Sequence, residues 1–250
     1  KPKKIEKYEM EKLISDVIGI VNHLNIKQIT LIGHDWGAPI VWNTSALFPQ
    51  KVKGVIGISV PYSPRGKISS TKLWAKIYKN KFFYQNYFQK IGVAEKELNE
   101  NIEITLKKIY YALSGDAQKN FFKNKPRNSK MLDDIELPSK FPKWLNKDDI
   151  EYSVNQFKTI GFESSINRYR AQHNDWEKLT SLKNKRIKTP ACFICGKKEP
   201  VLKFIPDFDQ IDYMKKWMDN LLMCEIIQEA GHWVQQEKPR IVNNIILRFL

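Results

Sequence analysis

The sequence is poor in cysteine and arginine and contains no long apolar run. Three cysteines cannot build the disulfide framework of a small secreted domain, so we expect free thiols and a cytoplasmic, reducing environment. Because no stretch of about eighteen apolar residues occurs, no membrane-spanning segment is predicted. Only seven of the 42 basic residues are arginines, and the lysines are spread along the chain. Despite the net charge of +15, this distribution does not indicate a nucleic-acid-binding surface.

Two of the cysteines have the C-x-x-C spacing that occurs in metal and redox sites. Cys192 and Cys195 lie in the apolar run 191–195, which is typical of a buried strand. Alternation along a strand would place the two thiols on opposite faces, and no second Cys or His pair follows at the spacing of a zinc site. The pair is therefore interpreted as core packing, and no metal or cofactor site is predicted.

Composition and periodicity indicate a folded α/β protein. Of the 250 residues, 42% are hydrophobic and 12% are aromatic, which excludes a disordered chain. Apolar spacing predicts helices over 8–24 and 39–48 and buried strands over 28–32 and 52–60. The predicted apolar face of the first helix comprises Met10, Leu13, Ile14, Val17, Ile20, Val21 and Leu24. This alternation of helices and strands is typical of a parallel sheet.

The pattern changes in the segment 65–186. It is rich in aromatic residues and helical in spacing, and loops such as 124–129 and 137–142 interrupt it. No strong strand is predicted within it. We therefore interpret this segment as a helical insertion into the sheet domain.

The strand pattern resumes after the insertion. Strands are predicted over 189–196 and 222–227, and a closing amphipathic helix over 239–250. Residues 1–64 and 187–250 are thus predicted to form one α/β core that is interrupted by a helical cap.

A strand, a G-x-D-x-G motif at 33–37 and a helix follow one another directly. This is the context of a nucleophile elbow, with Asp35 in place of the usual serine. We expect small flanking residues to be required because the turn is tight. The amino terminus of the following helix favours negative charge, which suits a carboxylate nucleophile. An aspartate that merely caps this helix is the alternative interpretation.

The other end of the chain supplies a candidate base and a candidate acid. His232 follows the last predicted strand, and Glu199 follows the strand before it. The order nucleophile, acid, histidine is that of α/β-hydrolases. The remaining histidines are interpreted as structural; they are His23, His34 and His173.

These motifs together resemble the epoxide hydrolases of the α/β-hydrolase superfamily, in particular the soluble epoxide hydrolase type. The resemblance covers essentially the whole chain. It includes GHDWGA at 33–38 and GHWVQQ at 231–236. Within the insertion, YQNYFQ at 84–89 and INRYR at 166–170 are similar to the two tyrosine segments of the family's cap.

The resemblance implies a reaction and a role for each residue. Asp35 would attack a carbon of a small-molecule epoxide and form an alkyl ester. Tyr169 would donate a proton to the epoxide oxygen, with Tyr84 hydrogen bonded to it. His232, oriented by Glu199, would then activate the water that releases a vicinal diol. No cofactor or metal is implied, and detoxification or lipid metabolism is the expected context.

The sequence departs from the family pattern at several positions. Glu199 stands where the family usually has aspartate, and the longer side chain changes its reach, so Asp207 is the alternative acid. Arg168 replaces an aromatic residue, and the serines at 164–165 replace a glycine pair. We expect these changes to affect the shape of the pocket more than the reaction.

The family's oxyanion hole combines the backbone N–H after the nucleophile, here that of Trp36, with one from an upstream His-Gly-x-Pro loop. No His-Gly dipeptide occurs, and the chain starts at Lys1 without methionine. We therefore expect only the second half of the α/β-hydrolase sheet, with the amino-terminal part missing. The loss of one oxyanion donor would lower the reaction rate by about a hundredfold or more.

Two other functions fit parts of the pattern. A haloalkane or haloacid dehalogenase shares the aspartate elbow, the histidine and the cap, but it needs halide-stabilising donors rather than two phenols. Tyr84 and Tyr169 therefore favour the epoxide. A non-catalytic, truncated remnant of the fold is the second alternative.

Overall fold

The computed structural model describes residues 1–117, 125–138 and 140–250. Within these ranges the chain forms four β-strands and twelve α-helices. The strands are β1 (Ile29–His34), β2 (Val52–Ile58), β3 (Ala191–Gly196) and β4 (Leu221–Ile227). The helices are α1 (Met10–His23), α2 (Gly37–Leu47), α3 (Ser70–Ile77), α4 (Tyr84–Tyr87), α5 (Val93–Glu100), α6 (Ile102–Leu113), α7 (Lys147–Ile160), α8 (Glu163–Arg170), α9 (Gln172–Lys178), α10 (Gln210–Lys215), α11 (Val234–Glu237) and α12 (Pro239–Phe249). Short 3₁₀ helices lie at Ile5–Tyr8, Thr180–Leu182 and Pro200–Lys203.

The predicted insertion includes residues that lie outside the described ranges. Asn124 and Ser139, which belong to the predicted loops 124–129 and 137–142, lie outside the described residues. Among the helices of the described ranges, none combines the length with the hydropathy that a membrane-spanning segment requires.

The four strands form one parallel sheet in the order β1-β2-β3-β4, which confirms the predicted parallel arrangement. One row across the sheet joins Gly33, Gly57, Phe193 and Cys224. β1 continues to His34, beyond the predicted end of this strand. Because parallel strands all end at the same edge, the residues that follow them arrive side by side there.

Helices cover both faces of the sheet. The side chains of β3 show most clearly how alternate residues pack on opposite faces. Ala191, Phe193 and Cys195 pack in one core cluster with residues of α1 and α2. Cys192 and Ile194 pack in another cluster with residues of α12. The prediction that the two thiols lie on opposite faces is confirmed. Both are fully buried, and burial raises the pKa of each thiol to about 12.

The predicted apolar face of α1 is wider than the face that is buried. Met10, Ile14 and Val21 are buried, but Ile20 is 61% exposed and Leu24 is 58% exposed. Ile20 lies at the margin of the apolar stripe, and Leu24 follows the last helical residue. The predicted helix is therefore confirmed, although two residues of its apolar spacing are exposed.

The described residues divide into two compact units. The sheet unit comprises Met10–Lys67 and Lys178–Leu250. The helical unit comprises Lys1–Glu9 and Ile68–Glu177, and its described residues contain no strand.

Local sequence signals define the helices of the helical unit. The side chains of Ser69, Asn101 and Asn146 accept hydrogen bonds from backbone N–H groups at the start of α3, α6 and α7. Gly161, with φ of 62°, ends α7. The buried core of the unit includes Phe82, Phe88, Leu98, Leu106, Ile150 and Ile166.

Candidate active site

Asp35 occupies the turn between β1 and α2 and has a left-handed φ of 50°. A Cβ at Gly33 would lie 2.2 Å from the carbonyl oxygen of Gly37, so this position requires glycine. A Cβ at Gly37 would meet nothing within 4 Å. The predicted steric need for small flanking residues therefore holds at Gly33 and is wrong at Gly37. The turn holds the side chain of Asp35 at the carboxyl edge of the sheet.

Three side chains contact one another in a row at this edge: Asp35, His232 and Glu199. Nε2 of His232 lies 3.4 Å from Oδ2 of Asp35, and its Nδ1 lies 3.0 Å from Oε2 of Glu199. His232 is 4% exposed and Glu199 is fully buried. The three residues follow β1, β4 and β3, so the parallel sheet brings together three positions that are far apart in the chain.

The longer side chain of Glu199 reaches His232 without difficulty. Its Oε1 lies 3.1 Å from Nδ1 of His232 and also accepts a hydrogen bond of 2.9 Å from the backbone N–H of Val201. This second bond fixes the carboxylate at the start of the 3₁₀ helix Pro200–Lys203. Asp207, the alternative acid, is exposed.

The loop that carries His232 is tightly held. A Cβ at Gly196 would lie 2.3 Å from the carbonyl oxygens of Ala230 and Gly231, so this close approach requires glycine. The carboxylate of Glu237 accepts hydrogen bonds from the backbone N–H groups of Gly231 and Trp233. His232 is therefore flanked by two anchored residues.

The charges of the three side chains are strongly coupled. Burial acts to lower the pKa of His232, but the charges of Glu199 and Asp35 and the hydrogen bonds to both raise it to about 10. Burial acts to raise the pKa of Asp35, whereas His232 and the backbone N–H of Trp36 hold it below its usual value. At neutral pH the site therefore pairs an ionised Asp35 with a protonated His232.

The backbone carbonyl of His232 has two further hydrogen-bond partners that the sequence did not predict. Nε2 of His34 and Oγ of Ser59 each lie 2.8 Å from its carbonyl oxygen. Because a carbonyl only accepts, both side chains donate. His34 was interpreted as structural and Ser59 was placed inside the predicted strand 52–60, whereas β2 ends at Ile58. A polar residue at the end of a buried strand was the available signal.

The two predicted tyrosines are neighbours within the helical unit. Tyr84 lies on α4 and Tyr169 on α8, and their ring centroids are 5.6 Å apart at an angle of 80°. Phe88 packs against both rings, at 5.5 Å from Tyr84 and 5.0 Å from Tyr169. Tyr84 accepts a hydrogen bond of 3.0 Å from Nε2 of Gln85. The helical unit thus presents two phenols close together.

Arg168, which departs from the family pattern, is buried and forms ties within the helical unit. Its guanidinium donates to the backbone carbonyl of Tyr8 and to the carboxylate of Asp175. It therefore connects the 3₁₀ helix Ile5–Tyr8 to α9. This contact gives the arginine a structural role that the sequence did not predict.

The arrangement in the sheet unit suits nucleophilic and acid–base chemistry. The carboxylate of Asp35 lies beside His232, which the buried carboxylate of Glu199 orients. In this geometry a carboxylate can act as a nucleophile and a histidine as a general base. The N–H of Trp36 interacts with the carboxylate of Asp35. Among the described residues, no group of three or more His, Cys, Asp or Glu side chains is placed to hold a metal ion.

Comparison with known proteins identifies the family to which the chain is similar. Residues 1–239 match the family described as alpha/beta hydrolase fold. The chain is 31% identical over 252 residues to Epoxide hydrolase A of Mycobacterium tuberculosis, covering all of this chain and 77% of that protein. It is 32% identical over 250 residues to Bifunctional epoxide hydrolase 2 of Mus musculus, covering all of this chain but only 44% of that protein.

Solved structures agree with these relatives. The crystal structure of Epoxide Hydrolase A from Mycobacterium thermoresistibile superposes with a TM-score of 0.93 at 31% identity, covering 100% of this chain and 77% of that one. The epoxide hydrolase from an endophytic Streptomyces gives the same TM-score of 0.93 and identity of 31%, with 76% of its chain covered.

Proposed function

Since this chain belongs to the epoxide hydrolases, enzymes with the alpha/beta hydrolase fold, we propose that it hydrolyses small-molecule epoxides to vicinal diols through an ester of Asp35. The observation that carries the proposal is the line of Asp35, His232 and Glu199, with 3.4 Å and 3.0 Å between the interacting atoms. An aspartate in the elbow favours attack on a saturated carbon. A serine there would instead indicate acyl transfer.

In the first step, the ionised carboxylate of Asp35 attacks one epoxide carbon. A bond forms between a carboxylate oxygen and that carbon, and the bond from this carbon to the epoxide oxygen breaks. The oxygen accepts a proton from Tyr169, with a hydrogen bond from Tyr84, and becomes a hydroxyl group. Phenols, with a pKa of about 10, are acids strong enough to assist an alkoxide as it leaves.

Once the ester has formed, His232 gives up its proton, which restores the phenol of Tyr169. In the second step, the neutral imidazole of His232 removes a proton from water, and the water oxygen attacks the carboxyl carbon of Asp35. The N–H of Trp36, which already interacts with this carboxylate, stabilises the oxygen that becomes negative. The ester bond then breaks, and the diol leaves with the proton that His232 took from water. The remaining water proton, on the regenerated carboxyl group of Asp35, passes to His232 and restores the starting ion pair. Glu199 keeps the imidazole oriented throughout the step.

The organisation of the chain fits the same proposal. The helical unit carries the two phenols and overlaps the segment 65–186 that is predicted to be a cap, and the sheet unit carries the nucleophile and the base. Three free cysteines support a cytoplasmic location.

Trapping the ester intermediate tests the proposal. The chain carrying His232→Gln, incubated with styrene oxide, is expected to gain the mass of one epoxide on the peptide that contains Asp35, because ester formation continues while hydrolysis stops. The unsubstituted chain is expected to form diol and, in ¹⁸O-water, to incorporate label into the same peptide.

Asp35→Asn is the control, since the amide cannot form the ester and its peptide should stay unmodified. Chloride release from a haloalkane without diol formation from styrene oxide would instead support a dehalogenase. An unmodified Asp35 peptide in the His232→Gln chain, with no diol from the unsubstituted chain, would support the non-catalytic alternative.

A further inference from the structure

A chain of hydrogen bonds in the helical unit, buried at its centre, ends on the phenol of Tyr84. Oγ of Ser70 lies 2.8 Å from Oε1 of Gln172. Nε2 of Gln172 lies 3.0 Å from Oε1 of Gln85, and Nε2 of Gln85 lies 3.0 Å from the phenol oxygen of Tyr84. Gln85 is 9% exposed and Gln172 is 8% exposed. Water therefore has little access to replace these bonds.

The direction of every bond in this chain is fixed by one backbone carbonyl. The amide of Gln172 also lies 3.0 Å from the carbonyl oxygen of Tyr169, which only accepts, so this end of the amide is its nitrogen. The same nitrogen faces the amide of Gln85 and must donate to its oxygen. The nitrogen of Gln85 is left facing Tyr84 and donates to the phenol.

This direction determines what the phenol of Tyr84 can do. An oxygen that accepts from Gln85 does not use its own proton in that bond. In addition, a donor on the phenol oxygen stabilises the negative charge that grows there when the proton shifts toward another oxygen. Gln85 therefore favours Tyr84 as a hydrogen-bond donor.

We infer that Gln85 is a positioning residue for ring opening, which directs the phenol proton of Tyr84 toward the epoxide oxygen and strengthens that hydrogen bond. The inference rests on the proposed function, because it assumes that the two tyrosines face an epoxide. It goes beyond that function because it states that the fixed orientation of the Gln85 amide affects only the first step, ring opening. Ester hydrolysis, which depends on His232, is not expected to depend on Gln85.

Reversing the bond tests the inference directly. Gln85→Glu keeps the shape of the side chain and still accepts from Gln172, but an ionised carboxylate accepts a hydrogen bond from the phenol of Tyr84 instead of donating one to it. Gln85→Leu removes the bond without reversing it. Ester formation with styrene oxide, measured in single turnovers, is expected to fall about tenfold for Gln85→Leu and about a hundredfold for Gln85→Glu.

The pH dependence of ester formation distinguishes a positioning role of Gln85 from a packing role. As the pH falls, the carboxyl group of Gln85→Glu gains a proton and can donate again, so the deficit of this variant should shrink at acidic pH. The deficit of Gln85→Leu should not. In a Tyr84→Phe background, both substitutions should lose their effect on ester formation, because the phenol they act through is absent.

Gln89→Leu is the matched control. Gln89 lies on the same segment, and its amide donates to the backbone carbonyls of Gln85 and Tyr169 rather than to a phenol. Its loss is expected to lower the thermal stability but to leave the pH profile of ester formation unchanged.

The outcomes distinguish the two proposals. If the unsubstituted chain forms no Asp35 ester, the proposed function fails. If the ester forms but Gln85→Glu reacts as fast as Gln85→Leu at every pH, or keeps its effect in the Tyr84→Phe background, the inference about Gln85 is wrong.

Discussion

At the scale of single residues, the two carboxylates beside His232 have different effects at different stages of the reaction. Both raise the pKa of the imidazole in the free site, where it reaches about 10. When Asp35 becomes an ester, its charge disappears, and only Glu199 continues to raise that pKa. The pKa of His232 therefore falls at the stage when a base is needed, because the first step itself removes one of the charges that held the proton.

Replacing the remaining carboxylate tests this account. Glu199→Gln removes the other negative charge, so the pKa of His232 in the ester should fall further. A base acts in its deprotonated form, so ester hydrolysis rises as the pH passes this pKa, and the acidic limb of its rate should move to lower pH. The plateau should fall at least about tenfold, since a weaker and less oriented base attacks more slowly.

The rate of ester decay in single turnovers, between about pH 5 and about pH 9, measures both effects. Glu229→Gln is the control, because it makes the same change of charge on an exposed side chain three residues before His232. An acidic limb that stays in place in Glu199→Gln would contradict the account.

At the scale of elements, close packing of β2 against α2 holds the elbow in place. A Cβ at Gly57 would lie 2.1 Å from the ring of Trp42, which is fully buried in α2. The indole Nε1 of Trp42 donates to the carbonyl of Val60, 3.0 Å away, so the ring cannot easily turn aside. The helix that starts beneath Asp35 is therefore fixed to the neighbouring strand.

Gly57→Ala is expected to destabilise the protein by about 1–3 kcal/mol, because the added methyl group overpacks a rigid contact. Urea unfolding followed by circular dichroism measures the change. Gly19→Ala is the matched control: nothing lies within 4 Å of a Cβ there, and alanine in the helix α1 should stabilise by about 0.5–1 kcal/mol. Equal urea midpoints of unfolding for the two variants would show that the contact between Gly57 and Trp42 is not rigid.

The sequence was informative about elements and motifs and less so about contacts through space. Strand ends and chain order predicted Asp35, Glu199 and His232, because a parallel sheet brings such ends together. Ser59 was missed because its role depends on where β2 stops, within two residues of the predicted end. Gln85 lies in a segment that the resemblance identified, but the direction of its hydrogen bond follows from partners on α9. No local pattern encodes such a partner.

At the scale of the whole molecule, the thiols are buried in the core rather than exposed to solvent. Cys192 and Cys195 are fully buried on opposite faces of β3, and Cys224 on the neighbouring strand is half-buried. Burial raises the pKa of all three thiols, so little of the reactive thiolate exists at neutral pH. The reactivity of the cysteines therefore indicates whether the sheet is folded.

Labelling with a thiol reagent checks this expectation. In the native protein, Cys224 should react slowly and the other two cysteines should not react until the protein unfolds. Cys224→Ala should abolish the slow phase and leave two thiols that appear only in denaturant. Rapid modification of Cys192 or Cys195 in the native state would show that β3 is not packed as described.

The carbonyl of His232 accepts hydrogen bonds from residues at the ends of two other strands, His34 on β1 and Ser59 after β2. The position of the base is therefore set by the sheet as well as by the hydrogen bonds of its own loop. On warming, loss of activity and loss of strand structure should form a single cooperative transition, with no temperature range in which the enzyme is folded but inactive.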